Sequence, residues 1–161
     1  MAHGQILLLI AAFMLLSFVT LSVKNTMGTE DEVKYVAEAS IYATSSAQAM
    51  LQVISLYQFD EKTIGKDVPV PDSLTAVGSL GKEAGEVFPN FDDIDDFKGY
   101  RRTISNPRLG NFRMDANVSY TDANGNASNI RTFYKKLTVT VSDSLALTLK
   151  SPIQVSTLIS Y

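Results

Sequence analysis

The chain contains no cysteine, and its single histidine is His3. The first absence removes disulfides, thiolate-held zinc and cysteine nucleophiles together. The second removes a Ser-His-Asp triad, or any histidine metal site, from everything beyond the first few residues. Clustered positive charge is missing too. Lys and Arg total 14 against 17 Asp and Glu, for a formal net charge of −3, and no basic cluster exceeds the pairs Arg101-Arg102 and Lys135-Lys136. Nucleic acid is therefore not an expected partner. Nothing points to a cofactor, and an enzyme is the weakest of the functional classes, because the only convergent polar cluster is a short run of aspartates.

What the sequence does have is Gln5–Val23, QILLLIAAFMLLSFVTLSV, with no charge, proline or glycine. At about 1.5 Å per residue this makes a helix of roughly 28 Å, close to the hydrocarbon thickness of a bilayer. A cleaved signal peptide fits poorly, since no Lys or Arg precedes the run and no A-x-A site follows it. A soluble core helix fits worse, because the whole circumference is apolar. The run predicts a membrane-resident helix, with Leu9, Phe13, Leu16 and Val19 among its buried contacts. The part beyond it is placed outside the cytoplasm, although charge asymmetry (Lys24 alone after the span) decides little. After the run, about 140 residues remain, enough for one domain.

The apolar run stops at Lys24-Asn25-Thr26-Met27-Gly28, and Thr29-x-x-Glu32 forms a capping box. Either a second helix starts at Thr29, or one long helix is weakened at a hinge comprising Asn25 and Gly28, or the helix runs on unbroken to about Tyr57 with Gly28 tolerated; the ingredients together favour a break. From Val33 to Tyr57 apolar residues recur at threes and fours (Val33, Val36, Ala37, Ile41, Thr44, Ala47, Met50/Leu51, Ile54, Tyr57), which predicts an amphipathic helix. Its other face is small and uncharged (Ala39, Ser40, Ala43, Ser45, Ser46, Ala49), the composition of a surface packed closely on neighbours, other copies of the chain included.

A loop rich in Pro and Gly follows, then Phe91-Asp-Asp-Ile-Asp-Asp-Phe97. Two readings of this turn stand side by side. Asp92, Asp93, Asp95 and Asp96 supply the carboxylate oxygens that calcium wants on an irregular loop. Alternatively, Phe91, Ile94 and Phe97 are buried by a short helical turn and the acids face water. The remainder predicts antiparallel strands. Tyr100–Ser105 is a first strand. Asn111–Thr121 turns Phe112, Met114, Ala116, Val118 and Tyr120 to one side. Asn-Gly at 124–125 marks a turn. Ile130–Ser142 returns with Phe133, Lys135, Leu137, Val139 and Val141 on one face, Leu145, Leu147 and Leu149 alternate again, and Ile153–Tyr161 closes the sheet. The fold class is thus α+β: a lead-in over 1–4, a long helix over 5–58 (apolar 5–23, amphipathic 29–58), and a loop with a small antiparallel sheet over 59–161.

In Gly4-Gln5 followed at once by the apolar run, in Ala43–Gln52 (ATSSAQAMLQ), Phe59-Asp60-Glu61, Phe91–Tyr100 and Lys135–Val141 (KKLTVTV), the chain resembles bacterial type IV pilin-like and pseudopilin-like proteins. That resemblance implies a cut by a prepilin peptidase between Gly4 and Gln5 and residence in the inner membrane. Copies would then be extracted by pilus assembly machinery into an extracellular homopolymer at the cell surface, with the first helices bundled in its core. The runner-up is a single-pass, membrane-anchored extracytoplasmic component of a pilus or secretion machine. One departure has a direct consequence. Pilins carry a glutamate at the fifth mature position, thought to pair with a neighbour's α-amino group, whereas that position here is Leu9 and no acid precedes Glu30. Registration by that ion pair is not expected.

Overall fold

The computed structural model describes residues 2–143, 148–149 and 151–161. It comprises two units, Met1–Glu38 and Ala39–Tyr161. A single helix, α1 (Ala2–Ile54), supplies all the secondary structure of the first and opens the second. The backbone is helical through Asn25 and Gly28, so the expected break there is absent and Thr29 starts no new helix. The reason is one of magnitude. A single interior glycine costs about 1 kcal/mol, too little by itself to interrupt a long helix. At its far end α1 stops at Ile54 rather than near 58, where the chain tightens into i to i+3 bonds: Leu56 N–H to Val53 O (3.2 Å) and Tyr57 N–H to Ile54 O (3.1 Å).

The second unit is α+β. Its four strands, β1 (Arg101–Asn106), β2 (Gly110–Tyr120), β3 (Tyr134–Asp143) and β4 (Ile153–Ser160), form one antiparallel sheet in the order β1-β2-β3-β4. The central pairing runs from Phe112 opposite Asp143 to Tyr120 opposite Lys135. Period-2 alternation sets which face is covered, and the expected inward sets are the buried ones: Phe112, Met114, Ala116, Val118 and Tyr120 on β2, and Lys135, Leu137, Val139 and Val141 on β3. The Asn-Gly turn forms as well. Gly125 takes φ +82°, and Asp122 gathers it by accepting the N–H groups of Asn124 (2.8 Å) and Asn126 (2.9 Å). Leu145 and Leu147 lie outside the described residues.

Within this unit, Ala39, Ala43, Ala47, Met50, Leu51 and Ile54 of α1 are buried in the same core as the inward strand residues. The stripe expected from the sequence is right only from Ala47 onward, since Val33 and Ile41 are exposed. The small residues Ala39, Ala43 and Ala47 are not left for other copies; they pack into the chain's own core. Four-residue alanine spacing makes a smooth flank that lets a helix backbone approach its neighbours closely, and Tyr42 closes one side with its ring 5.4 Å from that of Phe112.

The connection from α1 to β1 is packed by its own side chains. Val68, Leu74 and Leu80 are buried, and Phe88, Phe91, Phe97 and Tyr100 contact one another, mostly edge to face. Gln58 fastens its two ends by donating N–H to Asp92 O (3.3 Å) and accepting Ile94 N–H (2.9 Å).

Candidate functional site

The first candidate is the apolar part of α1. His3–Lys24 has a mean hydropathy of 2.7 and none of its most apolar window is buried, so it is long and apolar enough to cross a membrane. Leu9, Phe13, Leu16 and Val19 are all exposed, and so are Leu7, Leu8, Met14, Leu15 and Phe18, which together occupy every side of the helix. Thr20 Oγ1 needs no water, since it donates to Leu16 O at 2.7 Å. Gly4 and Gln5 are exposed residues within α1, which begins at Ala2 rather than at Gln5.

The second candidate is a buried ionic knot. Lys135 is fully buried, and its ammonium donates to Phe59 O (2.8 Å), Asp60 Oδ2 (2.7 Å) and Asp95 Oδ1 (2.7 Å). It also lies over the Phe59 ring, 4.5 Å from its centre, and 5.0 Å from that of Tyr120. Asp60 collects more donors: Lys62 N–H (3.0 Å), Thr75 Oγ1 (2.8 Å) and the Tyr120 hydroxyl (3.0 Å). Burial works to raise the Asp60 carboxyl, but the hydrogen bond and charge of Lys135 outweigh it and hold the group below its usual range. Asp95 is pushed up to about 7 by burial, which the same lysine only partly offsets, with the Asp60 charge adding to the rise. One ammonium thus serves two buried carboxylates, and all three of its hydrogens are committed inside the protein. It is unavailable as a nucleophile or base. Its effect is to tie the exit of α1, the loop, the acidic turn, β2 and β3 at one point.

The aspartates of that turn divide. Phe91, Ile94 and Phe97 are buried, as the helical-turn reading expects. The acids, however, do not all face water: Asp92 is exposed, but Asp93, Asp95 and Asp96 are buried. Asp93 Oδ1 accepts the N–H groups of Asp95 (2.6 Å) and Asp96 (3.2 Å), and burial together with its acidic neighbours pushes its carboxyl up to about 7. Asp95 belongs to Lys135. Only Asp96 stands in a group of three acids with ligand atoms within 4.8 Å of one another, and its companions there are Glu83 and Glu86. The four aspartates of the calcium reading therefore do not converge on one point: Asp93 accepts backbone N–H groups of its own turn, Asp95 meets Lys135 and Asp96 stands with Glu83 and Glu86.

The sequence carried a signal for the knot. Lys135 falls on the inward register of β3, between Phe133 and Leu137, and a lysine at a core position requires a buried acid. That its partners are Asp60 and Asp95 depends on how a long loop folds back, which periodicity does not encode. Glu83 and Glu86 had no such signal, lying in an exposed stretch without pattern.

No protein-family model, curated protein or solved structure matches the chain. What stands is an N-terminal apolar helix followed by a small antiparallel sheet, an arrangement compatible with a pilin-like fold.

Proposed function

We propose that this chain is a structural subunit that polymerises through the apolar segment of α1, after residing in a membrane by that same segment. The observation that carries the reading is the all-round exposure of apolar side chains over His3–Lys24. Leaving that surface in water would cost about 25 cal/mol per Å², so it needs lipid or other helices around it. A second feature supports self-association. From Ala39 to Tyr57 the chain has no charged residue, and on α1 the face away from its core exposes Ile41, Ser45, Ala49, Gln52 and Val53. An uncharged, small-residue helix face suits close packing against like helices. With Leu9 in place of an acid, register would come from side-chain packing alone. The polymer would be an extracellular, pilus-like filament, and maturation would involve a peptidase acting at Gly4-Gln5 and an assembly machine in the inner membrane.

The second reading is a single-pass anchored subunit of a membrane-bound assembly apparatus, favoured by the length of His3–Lys24, about 33 Å as a helix, which matches a bilayer without further partners. Electron microscopy of material purified from the producing cell separates the two. Filaments containing the chain support the polymer; discrete particles that stay in detergent overturn it in favour of the anchor.

A further inference from the structure

Glu83, Glu86 and Asp96 reach one point from two stretches of the α1–β1 connection. A turn brings the glutamates together: Glu86 N–H donates to Glu83 O (3.3 Å), and Glu83 N–H donates to Glu86 Oε2 (2.9 Å). Gly85 within it takes φ +98°, a backbone conformation that side chains disfavour. Asp96 arrives from the acidic turn. Each residue offers one carboxylate oxygen, and these oxygens all lie within 4.8 Å of one another. Three carboxyl groups so close repel when ionised, unless a proton is shared among them or a cation stands between them. Lys135 does not serve here, since its hydrogens are spent on Phe59, Asp60 and Asp95.

Asp96 adds an independent sign. It is 1% exposed, and while its Oδ2 accepts Asp92 N–H (3.2 Å), its Oδ1 is buried with no hydrogen-bond partner. A buried carboxylate oxygen without a donor is costly, and native proteins seldom leave one unanswered. Asp93 Oδ2, in the same turn, is buried without a partner as well.

We propose that Glu83, Glu86 and Asp96 form a binding site for a hard divalent cation, with calcium as the fitting ion. The donors are oxygen alone, which excludes a preference for soft or borderline metals. They lie on an irregular loop, with Glu83 on the exposed side where waters can complete the shell. Calcium tolerates such a variable shell, whereas magnesium demands a near-ideal octahedron. The bound ion would fix the Glu83–Glu86 turn to the acidic turn, and so stiffen the connection that packs over the aromatic cluster of Phe88, Phe91, Phe97 and Tyr100.

The test uses the full chain in detergent micelles, stripped of metal with a chelator, with thermal unfolding of the sheet followed by circular dichroism at pH 7. Calcium chloride is titrated to about 5 mM, the range of weak extracellular sites, beside magnesium chloride and sodium chloride of equal ionic strength. The site predicts a saturable rise of several degrees in Tm with calcium. In the Glu83→Gln/Glu86→Gln variant, whose substitutions lie outside the core, the midpoint of that rise should move at least ten-fold higher in calcium. Asp96→Asn should act in the same direction; because it is buried, the outer pair decides if it fails to fold. No calcium-dependent rise in the wild type, the same rise in sodium chloride, or an unchanged midpoint in the double variant overturns the site. An equal response to magnesium overturns the assignment to calcium. None of these readouts depends on whether the chain forms filaments.

Discussion

The Lys135 ammonium and Asp60 Oδ2 lie 2.7 Å apart, both fully buried, although 75 positions separate them in the chain. With Asp95 as second acceptor, this contact joins the end of α1 to the middle of the sheet without any covalent link. Removing the cation while keeping its acids should be severe. Lys135→Met leaves two buried carboxylates without a counter-charge, and breaking a buried pair from one side costs about 3–5 kcal/mol. Urea unfolding should show that loss, and the combination Lys135→Met/Asp60→Asn/Asp95→Asn should recover part of it. A Lys135→Met chain within about 1 kcal/mol of the wild type would mean the knot contributes little.

Stability should depend on pH in a defined sense. The Asp93 and Asp95 carboxyls are raised to about 7, so each contributes stability that is complete below the ordinary aspartate range and is lost as pH rises through 7. Asp60 is lowered, so its contribution is present above that range and is lost as pH falls through its folded value. In chelator-containing buffer, Tm should therefore fall from about pH 5 to pH 8 and fall again below about pH 4. Asp93→Asn should flatten the upper slope; an upper slope unchanged in that variant would remove Asp93 from the account.

Charges placed in the apolar segment should separate assembly from folding. Leu9→Lys or Val19→Asp would cost several kcal/mol in a bundle of helices or in lipid. The second unit, with a core built from residues 39 onward, should keep its circular dichroism spectrum, while, if the chain polymerises as proposed, filaments disappear from micrographs. Normal filaments from either variant would contradict a core made of these helices.

The two flanks of α1 should respond oppositely to added bulk. Ala43 is fully buried, and Ala43→Leu should destabilise the fold by about 1–3 kcal/mol through overpacking. Ser45 is exposed, its hydroxyl donating back to Ile41 O at 2.7 Å, and Ser45→Glu should leave folding within about 0.5 kcal/mol of the wild type. If the exposed flank meets neighbouring copies, Ser45→Glu will nonetheless weaken polymerisation, as sedimentation of the polymer would reveal.

The parts of this molecule that obey a period were readable in advance. Alternation on β2 and β3 placed Phe112 to Tyr120 and Lys135 to Val141 on the covered face, and the apolar composition of Gln5–Val23 announced a helix long and apolar enough to cross a membrane. Weak local preferences misled. Gly28 and the Thr29–Glu32 capping box suggested a break that a continuous helix overrides, and Val33 and Ile41 suggested the start of a stripe that Ala39 and Ala43 actually form before it joins the expected one at Ala47. The acidic turn was half legible: Phe91, Ile94 and Phe97 pack inward as their spacing implied, but three of its four acids follow them, because Lys135 and the turn's own amides supply the donors. The Glu83–Glu86–Asp96 group was invisible for a related reason. It is made by a loop folding back on itself, and no repeating pattern records that.

The distance along the chain between Asp60 and Lys135 also sets an order of events during synthesis. At 5–20 residues per second, the 75 positions between them occupy roughly 4–15 s. For that interval the end of α1 has left the ribosome with its acid unmatched, and the sheet cannot close. The apolar segment, made earlier still, is complete as a helix without any of the later chain. The apolar helix can thus form before anything that follows has folded, and the sheet unit assembles only after that helix is complete.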